Sequence, residues 1–438
     1  MLLTNLLRGF LLTVLTSLYF FPFAFSFLPG VNTKMMMAAV GLVLLGIQLA
    51  KQKKKSEVNV DFFMLSLFAA VASLIGWISI TINDTPDTAY ATYLVSMWVW
   101  LGGAYMLAST IRQLHGLLSV VLLVNYLTVV CVLQCTLALV IDTFPVVKNI
   151  VDTYIQQGQD FLNQTNVKRL YGIGASLDVA GSRFAAVLIM IAFVTVTIEK
   201  TYLQRYMPLY LVCFFVIAVV GNMIARTTTV GLGLAIVCWL IMTKTSSIKE
   251  NILNYSRLWV WLALVLVIVI GISVFLYNTN PDVEKKMRFA FEGFFSLFEQ
   301  GKWEVSSNEK LKTMYVFPET LKTWIIGDGY FSNPRDVDPF FIGKEVGGYY
   351  MGTDVGYLRF IFYFGVIGLI AMITVILKAG RICIKKLSRY KVMFILLLAA
   401  NYVIWFKVST DIFLVFALFF MVRQDEEELF DQKISIEK

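Results

Sequence analysis

Histidine and charged side chains are both scarce in this chain. Its 438 residues include one histidine, His115, and only 15% of them are charged. No clustered histidine and aspartate pattern is present, so the sequence predicts neither a metal ion nor another cofactor. Four of the five cysteines lie in apolar runs and one lies in a basic loop: Cys131, Cys135, Cys213, Cys238 and Cys383. We therefore expect no disulfide.

The sequence also lacks a polar linker, an internal repeat and a low-complexity tract. Instead, 58% of the residues are hydrophobic and the mean hydropathy is +0.74. This composition predicts one transmembrane domain over residues 1–438. The net charge of +8 is concentrated in short loops. This distribution indicates the orientation of the protein in the membrane and contact with anionic lipid. It does not indicate nucleic-acid binding. Arg8 precedes an apolar run without a small-residue cleavage pattern, which predicts an uncleaved first span.

Apolar runs of suitable length predict an all-α polytopic membrane protein with about 12 transmembrane helices. The runs lie near residues 6–28, 35–50, 61–82, 90–110, 117–141, 182–198, 207–225, 229–243, 258–277, 355–377, 392–407 and 411–422.

Lysine and arginine in short loops predict the orientation. The basic loops are 51–55, 199–206, 244–257 and 378–391, and we assign them to the cytoplasm. Both termini then face the cytoplasm. The acidic tail, residues 423–438, is expected to be a solvated end.

Two long segments are then extracytoplasmic, residues 142–181 and the larger late loop 278–352. Within the late loop, apolar residues at helical spacing predict one amphipathic helix over 284–298, lying on the membrane surface or on the bundle. Residues with capping propensity at Ser306 predict a second short helix.

The stretch from Trp324 to Leu369 contains a polar loop that leads directly into a predicted long apolar helix. Gly327 and Gly329 flank Asp328 and predict a tight turn. Thr353 and Asp354 are expected to cap the helix that follows. Arg359 would lie about one turn inside that helix.

Three arginines are predicted at the outer ends of spans: Arg183, Arg226 and Arg359. Arg226 is the only Asp, Glu, Lys or Arg between Arg205 and Lys244, and it falls at the tip of a helical hairpin. A guanidinium group binds phosphate oxygens bidentately, so three of them facing one compartment suit a lipid-linked diphosphate. Snorkelling to lipid phosphate is the competing interpretation of each one alone. The extracytoplasmic side has no nucleotide pool, which favours a polyprenyl diphosphate over UDP as the leaving group.

Glycosyl transfer to a hydroxyl usually requires a base. Asp354 is our choice because it lies closest to an arginine and to the mouth of a span, and capping is its competing explanation. The tyrosines and Asp328 would line a sugar groove, although an interfacial role competes for each: Tyr349, Tyr350, Tyr357 and Asp328. The other acidic candidates for the base on this side are Asp178, Asp328, Asp336, Asp338 and Glu345.

With these residues identified, the chain resembles the Wzy-type O-antigen and capsular polysaccharide polymerases, which are related in architecture to the O-antigen ligases. The matching stretches are DVAGSRFAAVLIM (178–190), GNMIARTTTVGLGLA (221–235), SSNEKLKTMYVFPETLKTWIIGDGYF (306–331) and TDVGYLRFIFYFGVIGL (353–369).

The resemblance implies a GT-C-like fold in the bacterial inner membrane and an active site facing the periplasm. It implies inverting transfer of a growing glycan from undecaprenyl diphosphate to the non-reducing end of a new lipid-linked repeat unit. A chain-length regulator would be a further partner. Arginines in two outer loops are the family's usual functional residues, and Arg183 and Arg226 match that pattern.

Three other functions compete with polymerisation. A ligase of this superfamily resembles the chain but uses a histidine in the late outer loop, and the loop here contains none. A flippase for lipid-linked oligosaccharides would carry charges along a central cavity instead of at one face. A structural membrane protein would leave Arg226 unexplained.

Overall fold

Most of the described part of the chain is helical. The computed structural model describes residues 2–51, 60–157, 169–197, 200–245, 248–333 and 348–436. Eight helices in these ranges are long and apolar enough to cross a membrane, so the protein is an all-α polytopic membrane protein. These eight are α2 (Thr33–Lys51), α3 (Val60–Asn83), α4 (Tyr93–His115), α5 (Val120–Thr143), α7 (Leu177–Thr197), α8 (Lys200–Ile224), α10 (Ile248–Thr279) and α15 (Gly356–Lys386).

Shorter elements complete the described structure. Two strands of two residues each, β1 (Ala24–Phe25) and β2 (Ile155–Gln156), pair in an antiparallel manner. The remaining helices are α1 (Leu2–Phe20), α6 (Pro145–Tyr154), α9 (Thr228–Thr245), α11 (Pro281–Ala290), α12 (Glu292–Gln300), α13 (Ser306–Thr313), α14 (Leu321–Ile325), α16 (Lys391–Ile404), α17 (Phe413–Phe420) and α18 (Gln424–Ile436), with 3-10 turns at Tyr350–Gly352 and Ser388–Tyr390.

Helix α7 lies at the centre of the bundle. Every residue from Ala180 to Thr195 is buried, including Arg183. Small residues allow the close approach of neighbouring helices. A Cβ at Gly231 of α9 would lie 2.2 Å from the Ala185 Cα. This packing positions the beginning of α7 beside the α8–α9 hairpin.

The first predicted span, 6–28, is too long at its C-terminal end. Helix α1 ends at Phe20, and the chain then forms β1. Pro22 explains the early end, because it has no backbone N–H and disfavours the helical conformation in the residue before it.

The last predicted span, 411–422, is not a complete helical span. Its helix α17 has eight residues and is about 12 Å long, but all eight are buried. Residues 408–412 before it have no regular secondary structure, and the Asn401 side chain accepts a hydrogen bond from Ile412 N at 3.0 Å. Irregular backbone is tolerated in a membrane protein when it is enclosed by protein and its polar groups are satisfied.

Helix α15 is interrupted where the loop before it packs. Phe364 and Gly365 have non-helical backbone angles, and Gly365 has a φ of 72°. A Cβ at Gly365 would lie 2.0 Å from the Ile325 carbonyl oxygen of α14. The predicted turn around Asp328 is confirmed, since Gly327 and Gly329 have φ values of 83° and 75°.

The basic residues at the end of α15 and just after it mark one end of the bundle, here called the basic end. Lys378 and Lys385 of α15 contact Asp61 at 3.0 and 3.3 Å. Arg389 donates to the Thr197 carbonyl at the end of α7. The predicted basic loops 199–206 and 378–391 are largely helical, because residues 200–206 begin α8 and residues 378–386 end α15. Residues 52–59 lie outside the described residues.

The acidic tail is not a solvated end, contrary to the prediction. It forms α18, in which Glu426 and Glu427 are buried. Arg112 of α4 pairs with Glu426 at 2.6 Å. Glu427 accepts from Val120 N at 2.9 Å and from the Tyr390 hydroxyl. The tail docks because its carboxylates satisfy donors at helix ends, and sequence composition alone does not reveal those donors.

The late loop contains two amphipathic helices where the sequence predicts one. Helices α11 and α12 are separated at Phe291, whose backbone angles of −116° and 28° are not helical. The second predicted helix is present as α13.

Candidate functional site

The candidate site lies at the end of the bundle opposite the basic end, here called the site end. It is formed by the N-termini of α7 and α15, the α8–α9 hairpin and the turn after α16. Lys407 in that turn donates to Asp178 of α7 at 2.9 Å. Gly356 of α15 packs against the same turn, where a Cβ would lie 2.6 Å from the Val408 carbonyl oxygen.

Arg359 lies in the first turn of α15, between two aromatic rings. Its guanidinium carbon is 3.6 Å from the Phe331 ring centroid and 4.5 Å from that of Tyr349. One terminal nitrogen donates to Ser409 Oγ at 3.0 Å and the other to the Phe331 carbonyl at 2.9 Å. The buried Nε has no partner among the described residues. A fixed, flat cation with a spare donor is thereby presented at the site end.

Asp354 lies beside Arg359, with 3.9 Å between the carboxylate and a guanidinium nitrogen. Burial, followed by the negative charge of Asp178, raises the pKa of Asp354 to about 7. The charges of Arg359 and Lys407 oppose this rise, as does the Tyr349 hydroxyl. The group therefore titrates in the range that suits a general base near neutral pH.

Asp354 and Thr353 do not cap α15, so that prediction is wrong. Val355 is the N-cap residue and makes no side-chain cap hydrogen bond. Thr353 Oγ1 accepts from Val355 N at 3.3 Å, within the turn that precedes the helix. The competing explanation for Asp354 thus loses its structural basis.

Asp178 is the second carboxylate of the site end, and it is already engaged. Its Oδ1 accepts from Lys407 and from the Thr227 hydroxyl of the α8–α9 turn. Sequence reasoning missed Lys407. The available signal was that Lys407 and Asp411 are the only charged residues between Lys391 and Arg423.

Arg226 lies at the tip of the α8–α9 hairpin, as predicted, but the late loop covers it. It pairs with Glu292 of α12 at 2.7 Å and donates to Ser307 Oγ at 3.0 Å. Its guanidinium carbon is 4.1 Å from the Phe289 ring centroid, and Nε is buried without a described partner. Burial lowers the pKa of Arg226, and the charge of Glu292 opposes that effect.

Arg183 lies deeper, on α7, and is 6% exposed. Its guanidinium carbon is 5.6 Å from the Phe21 ring and 5.9 Å from the Trp100 ring. Two of its nitrogens, Nε and one terminal nitrogen, are buried without a partner among the described residues.

The predicted sugar-binding residues differ in burial and in hydrogen-bond partners. Tyr350 is buried, stacks on Tyr330 and donates to Asp328 at 3.2 Å. The Thr323 hydroxyl donates to the same carboxylate at 2.7 Å, while burial raises the pKa of Asp328. These contacts shape the turn. Tyr357 donates to the Tyr402 carbonyl at 3.0 Å.

Tyr349 is the one predicted sugar-binding tyrosine with an exposed side chain, and it also stacks on Arg359. Asp336, Asp338 and Glu345 lie outside the described residues. Across the described ranges, no group of three or more His, Cys, Asp or Glu side chains is placed to hold a metal ion. All five cysteines are free thiols.

Comparison with known proteins adds no identification. No family model matches the chain, and no curated protein or solved structure shows significant similarity to it.

Proposed function

We propose that the protein is a Wzy-type polysaccharide polymerase. It transfers a growing glycan from undecaprenyl diphosphate to the non-reducing end of a lipid-linked repeat unit. The reaction takes place on the periplasmic face of the bacterial inner membrane. The fold would be GT-C-like with about 12 spans, and a chain-length regulator would be a further partner.

One observation carries the proposal: three arginines, two at the site end and Arg183 behind it, have buried nitrogens with no partner in the described part of the chain. These are Nε of Arg226, Nε of Arg359, and Nε with a terminal nitrogen of Arg183. Burying a charged donor without a partner is costly, so such groups are expected where an anionic ligand completes them. A diphosphate supplies several acceptors and the compensating charge.

The chemistry follows from the neighbouring carboxylate. In its charged form, Asp354 accepts the proton of the acceptor hydroxyl as that oxygen forms a bond to the anomeric carbon of the donor glycan. The bond from that carbon to the diphosphate oxygen breaks, and its electron pair leaves with the diphosphate. Arginines fixed before the reaction stabilise the departing charge.

Two other functions use similar groups. A ligase would use the same donor but join the glycan once to a different acceptor. A flippase would reorient the lipid without breaking a glycosidic bond. The gathering of Asp354 and Arg359 at one end favours group transfer, because reorientation requires a charged path through the bundle.

The test is to incubate the purified full-length protein with a labelled lipid-linked repeat unit and separate the products by size. We expect a ladder of products that differ by one repeat unit, with release of the lipid diphosphate. A single transfer that requires an added second acceptor would identify a ligase. Reorientation across a vesicle membrane without any longer product would contradict glycosyl transfer.

A further inference from the structure

A second cationic cluster surrounds Trp100, behind the site end. Lys34 Nζ, at the start of α2, is 4.4 Å from the Trp100 ring centroid. Arg183 approaches the same ring from α7. Asp411, in the irregular segment before α17, acts electrostatically on both cations. Asp411 Oδ1 is itself occupied by Phe413 N at 2.9 Å.

The charges in this cluster do not balance within the described residues. Two cations act on one carboxylate, and neither forms an ion pair in the described part of the chain. Arg183 is more than nine-tenths buried and has two unpartnered nitrogens. It lies on the seventh residue of α7, about 9 Å from the beginning of the helix. A side chain that is so deeply enclosed does not reach the aqueous lipid surface by snorkelling.

We propose that Lys34 and Arg183 bind the phosphate group of a membrane lipid, with Trp100 and Phe21 as the walls of the site. The guanidinium provides two adjacent donors for phosphate oxygens, and the ammonium provides a point charge near the same Trp100 ring. A phosphate carries enough negative charge to balance both cations in the presence of Asp411.

A lipid suits the position better than a soluble anion does. Lys34 begins α2, a membrane-length helix that is mostly unburied within the protein. Apolar side chains such as Val40 and Val43 are exposed along α2. An acyl or prenyl tail can therefore lie against α2 while its phosphate reaches Lys34.

The identity of the lipid, but not the anion site itself, depends on the proposed function. A polymerase handles two lipid diphosphates, the donor and the acceptor. Arg226 and Arg359 at the site end and the Lys34–Arg183 pair behind it would then hold different phosphate groups. In a protein with another activity, the same two residues would hold a phospholipid headgroup.

The experiment measures lipid binding to the full-length protein in detergent, using undecaprenyl diphosphate, phosphatidylglycerol and uncharged diacylglycerol as probes. Lys34→Gln and Arg183→Gln should each weaken phosphate-lipid binding about tenfold or more, because each removes a hydrogen bond between charged groups. Asp411→Asn should strengthen binding, since it removes a negative charge and retains an acceptor for Phe413 N. The matched control is Lys378→Gln at the basic end, which should leave binding unchanged.

The outcomes are distinct. Selective loss of undecaprenyl diphosphate binding supports a substrate site, and equal loss of phosphatidylglycerol binding supports a headgroup site. Unchanged binding of both phosphate lipids in Lys34→Gln overturns the proposal even if Arg183→Gln fails to fold. If a variant loses lipid binding but still forms the product ladder, the result supports the anion site and shows that this site takes no part in the reaction.

Discussion

At the scale of single residues, burial and neighbouring charges decide what each ionisable group can do. Asp354 and Asp178 lie at the same end of the bundle, but only Asp178 is held directly by a lysine and a threonine. Asp354 has the raised pKa, about 7, and the nearby Arg359. Two carboxylates with such different partners and pKa values are suited to different roles, and Asp354 is the one that is available to accept a proton.

The raised pKa of Asp354 predicts opposite effects of pH on activity and stability. Because the base must be ionised, the rate of polymer formation should rise about tenfold per pH unit below about 7 and level off above it. The folded carboxyl holds its proton more tightly than the unfolded one. The protonated carboxyl therefore makes its full contribution to the free energy of unfolding below the pKa of the unfolded carboxyl. That contribution is lost as the pH rises through the folded pKa of about 7.

A pH–rate profile at saturating lipid-linked substrate measures the first effect, and thermal unfolding over the same pH range measures the second. A rate that is flat between about pH 5 and pH 8 would remove Asp354 from proton transfer.

At the scale of elements, the late loop closes over the α8–α9 hairpin through the Arg226–Glu292 ion pair. The pair offers a structural explanation of Arg226 that competes with diphosphate binding. The double variant Arg226→Glu with Glu292→Arg separates the two explanations. We expect the swap to restore the protein level lost in Arg226→Glu, but not the polymer, because the guanidinium then starts from α12.

The matched control for the swap is Arg288→Ala, which removes an exposed partner of Glu299 from the same loop and should leave the polymer intact. If the double variant makes as much polymer as the wild-type protein, the role of Arg226 is structural only.

Helix α18 provides a second prediction at this scale. Glu427→Ala removes the acceptor of Val120 N and of the Tyr390 hydroxyl, and both donors are buried. Leaving buried donors unsatisfied should lower the free energy of unfolding by about 1–3 kcal/mol. Thermal unfolding in detergent measures the loss. The neighbouring exposed residue provides the control, Glu428→Ala, and an equal Tm in the two variants would contradict the docked tail.

At the scale of the whole molecule, the apolar runs were sufficient to predict a helical membrane protein, because spans of lipid-facing helix need no distant partner. The tight turn at Asp328 was also predictable, since its glycines act locally. The docked tail, the Lys407–Asp178 contact and the irregular segment before α17 were not. Each depends on residues that are far apart in the sequence and meet only after the bundle is packed.

Orientation is a whole-molecule prediction that exposed positions can test. Lys385 at the basic end and Leu321 in the late loop have side chains that are largely exposed. A membrane-impermeant thiol reagent applied to intact cells should label Leu321→Cys and spare Lys385→Cys until the cells are opened. The reverse pattern would invert the topology and place the site end in the cytoplasm.

The most direct measurement is product ladder formation by the purified chain, with equal amounts of wild-type and Asp354→Asn protein. Asn preserves the size of the side chain and removes the base, and no cap of α15 is lost because Val355 occupies that position. We expect the wild-type protein to form the ladder and Asp354→Asn to form it about 10²–10⁴-fold more slowly, with thermal stability near neutral pH no lower than that of the wild-type protein. A ladder formed at the wild-type rate by Asp354→Asn would contradict catalysis by this carboxylate at the site end.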